Sequence, residues 1–336
     1  MGRRLLTFSL LFSSFTFCEA KTLKVFFIDV EGGQATLVLS PSGESMLVDT
    51  GWPGFNGRDA ERIMAAARQA GIQRIDYLLV THYHMDHVGG VPQLAERIPI
   101  GTFIDHGASL ELGKQADELT AAYNKVRSKS RQMLAKPGEK IPIAGLDVQV
   151  VAAAGHAITA PLEGAGQPNP LCADTKPRDE DRSENAQSVG ILIRHGKFRM
   201  IDLGDLTWNK ELELACPVNR VGQVDVYLST HHGSSLSGPA AIVQALQPRV
   251  AIMNNGAHKG GESSAWQIIQ SSPGRTDTWQ LHYAVDAGKS NNTPDDFIAN
   301  PEEDCRGYAI ELRAEEDGSF IVTNARNGFS QRYNLP

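Results

Sequence analysis

The run Thr81-His82-Tyr83-His84-Met85-Asp86-His87-Val88-Gly89-Gly90 constrains this chain more than any other stretch. It follows directly on Ile75 to Val80, a continuous apolar segment of strand length. Three imidazoles and a carboxylate therefore arrive where a buried strand ends, a place where unpaired polar groups are costly. Imidazole nitrogen and carboxylate oxygen suit zinc and neighbouring transition metals. The alternation of ligand and non-ligand positions lets a tight loop point His82 and His84 to one side and Asp86 and His87 to another, which makes room for two metals. A structural zinc site would recruit thiolates, whereas Cys18, Cys172, Cys216 and Cys305 all lie elsewhere in the chain.

Three later positions have the character to complete the set. His156 follows the strand-like Val148 to Ala152, Asp205 follows Phe198 to Leu203, and the pair His231 and His232 follows Val224 to Leu228. Each stands just past the C-terminal end of an apolar segment, where ligands collect in α/β proteins. Singly, each would be ambiguous; together they form four loops that can converge on one site.

The rest of the sequence reads as alternating strands and helices. Leu23 to Val30, Ala35 to Leu39 and Met46 to Val48 are short apolar runs separated by Glu31-Gly32-Gly33 and Pro41-Ser42-Gly43, the pattern of successive strands joined by tight turns. Arg58 to Ala70 carries Ala60, Ile63, Ala67 and Ala70 at helical spacing, with Gly71 as a stop. Thr102 to Ile104, Val189 to Ile193 and Val250 to Met253 add further strands, and the fold class is α/β with a buried sheet core. Two stretches read as insertions, near 108–140 and 161–185. Leu110 to Leu134 predicts a helix carrying Lys125, Arg127, Lys129 and Arg131 around its surface. Pro161 to Asn185 is polar and predicts a long loop.

Residues 1–20 read as a secretory leader: Arg3 and Arg4, the apolar run Leu5 to Phe17, then Cys18-Glu19-Ala20. The run is shorter than the ~20 residues a membrane span needs, so cleavage leaves no stable membrane insertion. The remaining 21–336 form the hydrolase domain in this reading, exported to the periplasm or beyond. There an odd set of Cys172, Cys216 and Cys305 allows one disulfide and one free thiol, with the pairing open. The 32 basic and 39 acidic residues give a net charge of -7, which argues against a surface built as a nucleic-acid platform.

At this point the sequence resembles the metallo-β-lactamase superfamily, through His82-x-His84-x-Asp86-His87 followed by a His, an Asp and a final His. More narrowly, Phe26-Phe27-Ile28-Asp29-Val30, Ser40-Pro41-Ser42-Gly43, Leu47-Val48-Asp49-Thr50-Gly51, Asn185-Ala186-Gln187-Ser188-Val189, Gly204-Asp205-Leu206 and His231-His232-Gly233-Ser234 are similar to the hydrolase domain of bacterial competence DNA-uptake channel proteins. The resemblance implies a four-layer αβ/βα sandwich with two divalent metal ions in the cleft at its edge, zinc by default and manganese or iron as alternatives. It implies that His82, His84 and His156 hold the first ion, that Asp86, His87 and a final histidine hold the second, and that Asp205 bridges them. His231 is preferred as that final ligand because it stands nearer the strand end, leaving His232 as general acid or outer donor. Asp49 is expected to orient a ligand by hydrogen bonding. Two departures stand out: Glu31-Gly32-Gly33-Gln34-Ala35 replaces the subgroup's Gly-Gln-Gly-Asp, and His84 stands where DNA-uptake members often have Asp.

The mechanism this implies is hydrolysis by a water shared between two metals, with Asp86 and Asp205 orienting it and His232 or Tyr83 assisting the leaving group. The first expectation is a phosphodiester or phosphate-ester substrate, small or nucleic acid, although nucleic acid is disfavoured by the acidic balance. The alternative keeps the metals and cleaves a β-lactam, lactone or other acyl bond. A binding protein without catalysis is disfavoured because a full ligand set is present, and a redox role because no appended partner domain is recognisable. His258 is weighed as a substrate contact; His106, His195 and His282 are read as structural.

Overall fold

A computed structural model describes residues 22–335; the leader, at 1–20, lies outside the described residues. Two large mixed sheets face each other. In the first, the strands run in the order Ser330–Tyr333, Phe320–Asn324, Ile310–Ala314, Leu23–Phe27, Thr36–Leu39, Ser45–Val48, Ile75–Leu79, Ile100–Asp105 and Arg131–Leu134. In the second, the order is Ile298–Asn300, Asp277–His282, Val250–Met253, Val226–Leu228, Phe198–Asp202, Gly190–His195, Asp147–Ala153 and Lys140–Ile141. Each sheet is antiparallel through its hairpins and parallel where helices intervene.

The layering follows from side-chain alternation along strands buried on both faces. Leu23, Val25 and Phe27 point into the core between the sheets, where they meet Val148, Val150, Ile191, Ile193 and Ile252 from the second sheet. Phe26, Leu37, Leu47 and Leu78 point outward and are covered by Ala60, Ile63 and Ala67 of the helix Arg58–Ala70 and by Val91 and Leu94. On the far side Leu192, Ile201 and Tyr227 are covered by Leu214, Ile242, Val243 and Trp266 from three further helices. The result is helix, sheet, sheet, helix, the four-layer sandwich expected.

Arg58–Ala70 begins and ends where the sequence places it. Gly71, at φ 74°, ends it by returning its N–H to the carbonyls of Ala67 and Arg68. The stretch Leu110 to Leu134 differs from expectation. Its helix is only Lys114–Arg127, and Arg131–Leu134 is an edge strand paired in parallel with Ile100–Asp105. The expected basic helix surface is therefore divided. Arg127 turns inward, donating to the buried Asp105 carboxylate at 2.6 and 3.1 Å, while Lys125, Lys129 and Arg131 remain exposed.

The 161–185 stretch is mostly irregular, with short 3-10 turns at Pro170–Ala173 and Glu184–Gln187. A disulfide joins Cys172 to Cys216, and Asn169 donates to the carbonyls of Ala215 and Ala241. Cys305 keeps its thiol. Among the described residues no helix is long and apolar enough to cross a membrane.

Candidate metal centre

The strand Ile75–Leu79 lies between Ser45–Val48 and Ile100–Asp105. The chain leaves its C-terminal end through Val80 and Thr81 and enters a single helical turn, Met85–Val88, at His84. Gly33 makes room for this turn: a Cβ there would stand 2.4 Å from the carbonyl oxygen of Asp86. Beside it, the Gln34 N–H donates to that same oxygen, and the Gln34 amide donates to both oxygens of buried Asp202 at 2.9 and 3.1 Å. Thus the Gly32-Gly33-Gln34 segment, where the sequence departs from its relatives' pattern, braces the metal loop through backbone and amide contacts. Burial raises the Asp202 pKa to about 6.

Four side chains converge most closely. Ligand atoms of Asp86, His87, Asp205 and His232 all lie within 4.8 Å of one another, and all four residues are buried. His87 Nε2 stands 3.3 Å from His232 Nε2. Asp86 Oδ2 is 3.2 Å from each of these nitrogens. Asp205 reaches His87 through Oδ2 and His232 through Oδ1, both at 3.3 Å. The same Asp205 Oδ2 also faces His82 Nε2 at 3.9 Å and His231 Nε2 at 3.4 Å. His82 Nε2 and His84 Nδ1 face each other at 3.0 Å.

Hydrogen bonds from outside fix the rings. Asp49, held at φ 60°, accepts from the Thr81 N–H, the Thr81 hydroxyl and His87 Nδ1 at 2.7–2.8 Å. With Nδ1 against Asp49, His87 presents Nε2 to the cluster. His231 Nδ1 is 3.3 Å from the Ser237 hydroxyl, which itself donates to the Leu206 carbonyl, so Ser237 can only accept from that ring. Nε2 of His231 likewise faces Asp205.

These contacts fit a bound cation. Imidazole nitrogens and carboxylate oxygens, both divalent-metal ligand types, are packed together in a buried cluster. The electrostatics agree. Burial alone would push the Asp205 carboxyl up, but His232, His87 and His231 outweigh it and hold the group well below the usual carboxylate range. Burial is likewise overcome at His87, where Asp205, Asp86 and Asp49 draw in positive charge. At His82, burial followed by the nearby His87 keeps the ring neutral.

The structure differs from the sequence reading at three positions. His232, not the preferred His231, enters the four-residue cluster, because His231 and His232 both take positive φ, 55° and 57°, and the turn carries the second ring inward. His156, expected as a first-metal ligand, is exposed. A tight turn at Ala154 and Gly155 folds His156–Ala157 back onto Asp147–Ala153, and no hydrogen bond or ion pair links it to the other six among the described residues. Tyr83, considered as a proton donor, gives its hydroxyl to the Gly107 carbonyl at 2.7 Å and packs edge-on against His106 and Tyr123.

Other residues enter the site without having been singled out. Lys259 Nζ contacts Asp86 Oδ2 and lies 4.9 Å above the Trp52 ring. The neighbouring His258 instead pairs with Asp286 and Glu303 at the surface. Glu111 reaches His84 Nε2 at 3.2 Å. Glu184 accepts from the Tyr83 N–H at 3.0 Å and His106 at 2.6 Å, so the Glu184–Gln187 turn runs alongside the metal loop and brings the buried, partnerless Oδ1 of Asn185 with it.

A model of the metallo-beta-lactamase superfamily matches residues 28–170. Recombination protein 2 of Haemophilus influenzae is 25% identical over 237 residues, covering 70% of this chain but 24% of that protein. The hydroxyacylglutathione hydrolase of Xanthomonas euvesicatoria pv. vesicatoria is 29% identical over 119 residues, 35% of this chain and 37% of the relative. The chain thus spans about a quarter of the first relative's length and matches little more than a third of the second's. Among solved structures, the metallo-beta-lactamase fold protein YhfI from Bacillus subtilis aligns with 76% of this chain and 95% of its own, at 11% identity and a TM-score of 0.47.

Proposed function

We propose that this chain, whose residues 28–170 match a model of the metallo-beta-lactamase superfamily, is an exported, binuclear-metal hydrolase of small phosphodiesters. The observation that carries the reading is the convergence of Asp86, His87, Asp205 and His232, whose ligand atoms all lie within 4.8 Å of one another in a buried cluster. His82, His84 and His231 would hold a first ion and Asp86, His87 and His232 a second, with Asp205 between the two sets, its Oδ2 facing His82, His87 and His231 and its Oδ1 facing His232. Bound divalent ions lower the pKa of a shared water and draw charge from the scissile oxygen; zinc suits this nitrogen-rich set.

The chain's own residues do the rest. Asp49 and Ser237 set the ring tautomers of His87 and His231. Lys259, half-exposed beside Asp86, neutralises an anionic oxygen of the substrate at the mouth of the site, and Trp52 holds the lysine there. One such cation matches a phosphodiester's single negative charge. The match to a recombination protein supports the phosphodiester class. A long nucleic acid is a poor fit to a chain of net charge -7 whose Arg127 is committed to Asp105. Export is supported by the Cys172–Cys216 disulfide.

A second reading, acyl-bond hydrolysis on the same centre, is favoured by the hydroxyacylglutathione hydrolase match and by an atrochrysone carboxyl ACP thioesterase of Aspergillus fumigatus, 38% identical over 68 residues, 20% of each chain. Turnover of bis(p-nitrophenyl) phosphate, nitrocefin and a thioester by the metal-loaded protein separates the two. Cleavage of the phosphodiester, lost in Asp86→Ala and Asp205→Ala, supports the first reading. Turnover confined to the acyl substrates refutes it.

A further inference from the structure

We propose that Asp29, His282 and Cys305 form a further metal site, separate from the His/Asp centre, for a thiophilic divalent cation such as zinc. Three parts of the fold meet there. Asp29 stands just past Leu23–Phe27 in the first sheet, His282 is the last residue of Asp277–His282 in the second, and Cys305 lies on the connection between Ile298–Asn300 and Ile310–Ala314.

The donors are carboxylate, imidazole and thiol, each a zinc ligand type, and their atoms lie within 4.8 Å of one another. Asp29 Oδ1 is 2.8 Å from His282 Nε2, and Cys305 Sγ is 3.2 Å from Asp29 Oδ2 and 3.7 Å from that same Nε2. Glu31 Oε1 lies 3.9 Å from the sulfur and accepts from Arg62, outside this three-donor group. With metal bonds of about 2.3 Å to sulfur and 2.0–2.2 Å to nitrogen or oxygen, the edges of a tetrahedral site measure roughly 3.3–3.6 Å. The spacings among Asp29, His282 and Cys305 bracket that range. Asp29 and His282 are buried, whereas Cys305 is partly exposed and leaves a way in.

Arg62 is compatible with such an ion. It donates to Asp29 Oδ2 at 2.8 Å and to Glu31 at 3.1 Å, the kind of outer donor that orients a ligating carboxylate.

Cobalt(II) titration of the full chain tests the site, because a cobalt–thiolate bond gives a near-ultraviolet charge-transfer band that His/Asp ligands do not. The expected result is such a band, with about one fewer cobalt bound in Cys305→Ser and the band lost. His87→Ala should keep the band while losing cobalt from the other centre. Cobalt should also shield Cys305 from a thiol reagent that reacts freely with the metal-free protein. Cobalt binding with no thiolate band, or a Cys305 whose reactivity ignores the metal, would mean an ion-pair knot only and overturn the proposal. A His282→Asn variant that retains the wild-type band would overturn it as well.

Discussion

At the residue scale the site depends on side chains that ligate nothing themselves. Asp49→Asn replaces the acceptor that fixes the His87 tautomer, and loss of such a partner typically costs 10–100-fold in metal affinity. Competition with a chromogenic chelator should show that drop for one of the bound ions, with the fold intact by circular dichroism. Lys259→Ala should raise KM for bis(p-nitrophenyl) phosphate about tenfold, the scale of one charge-assisted contact, and leave a neutral thioester nearly unaffected. Lys259→Arg should restore most of the loss; equal damage to both substrates would make Lys259 a structural residue. The histidines and aspartates were legible in the sequence because each follows an apolar strand, the position where α/β folds gather ligands. Lys259 was not, since a lysine in a Gly-rich loop usually faces water and its approach to Asp86 joins segments far apart in sequence. The order of His231 and His232 was equally hidden, because it turns on two positive φ angles that adjacent identical residues do not announce.

At the scale of elements, Arg127 separates a structural reading of the basic segment from a binding one. Its guanidinium is the ion-pair partner of Asp105, which is fully buried, and removing one member of such a pair costs about 3–5 kcal/mol. Arg127→Ala should therefore lower urea stability on that scale with KM unchanged; a raised KM without destabilisation would revive a phosphate patch. A pH effect belongs to the helix Trp208–Ala215. Burial raises the Glu211 pKa to about 8, against hydrogen bonds from Thr230 and the Gly238 N–H. The group is thus protonated when folded and ionised when unfolded, so its contribution is present in full near pH 4.5 and is lost as pH rises toward 8. Glu211→Gln should flatten the fall in Tm across that window, and an unchanged slope would assign the loss to another group. The helix Arg58–Ala70 was readable to the residue from its periodicity and its glycine stop. Arg131–Leu134 was not, because a four-residue edge strand directly after a helix shows no alternation long enough to separate it. The strands Ile310–Ala314 and Phe320–Asn324 do alternate buried and partly exposed residues, yet their pairing beside Leu23–Phe27 joins opposite ends of the sequence, which no local pattern records.

For the whole molecule, the two sheets present their loops at one edge, and a metal bound there would tie the sheets together. The His82 to His87 loop comes from the first sheet, while Asp205, His231 and His232 come from the second. Ion binding to the folded form alone should raise Tm, and chelation should lower it toward that of Asp205→Ala. Anomalous diffraction from zinc-loaded crystals tests for two ions at this seam. Two peaks should flank Asp205, one bounded by His82, His84 and His231 and the other by Asp86, His87 and His232, with Lys259 displaced from Asp86. Crystals in which Lys259 still occupies Asp86 and no peak lies among these residues would contradict that arrangement.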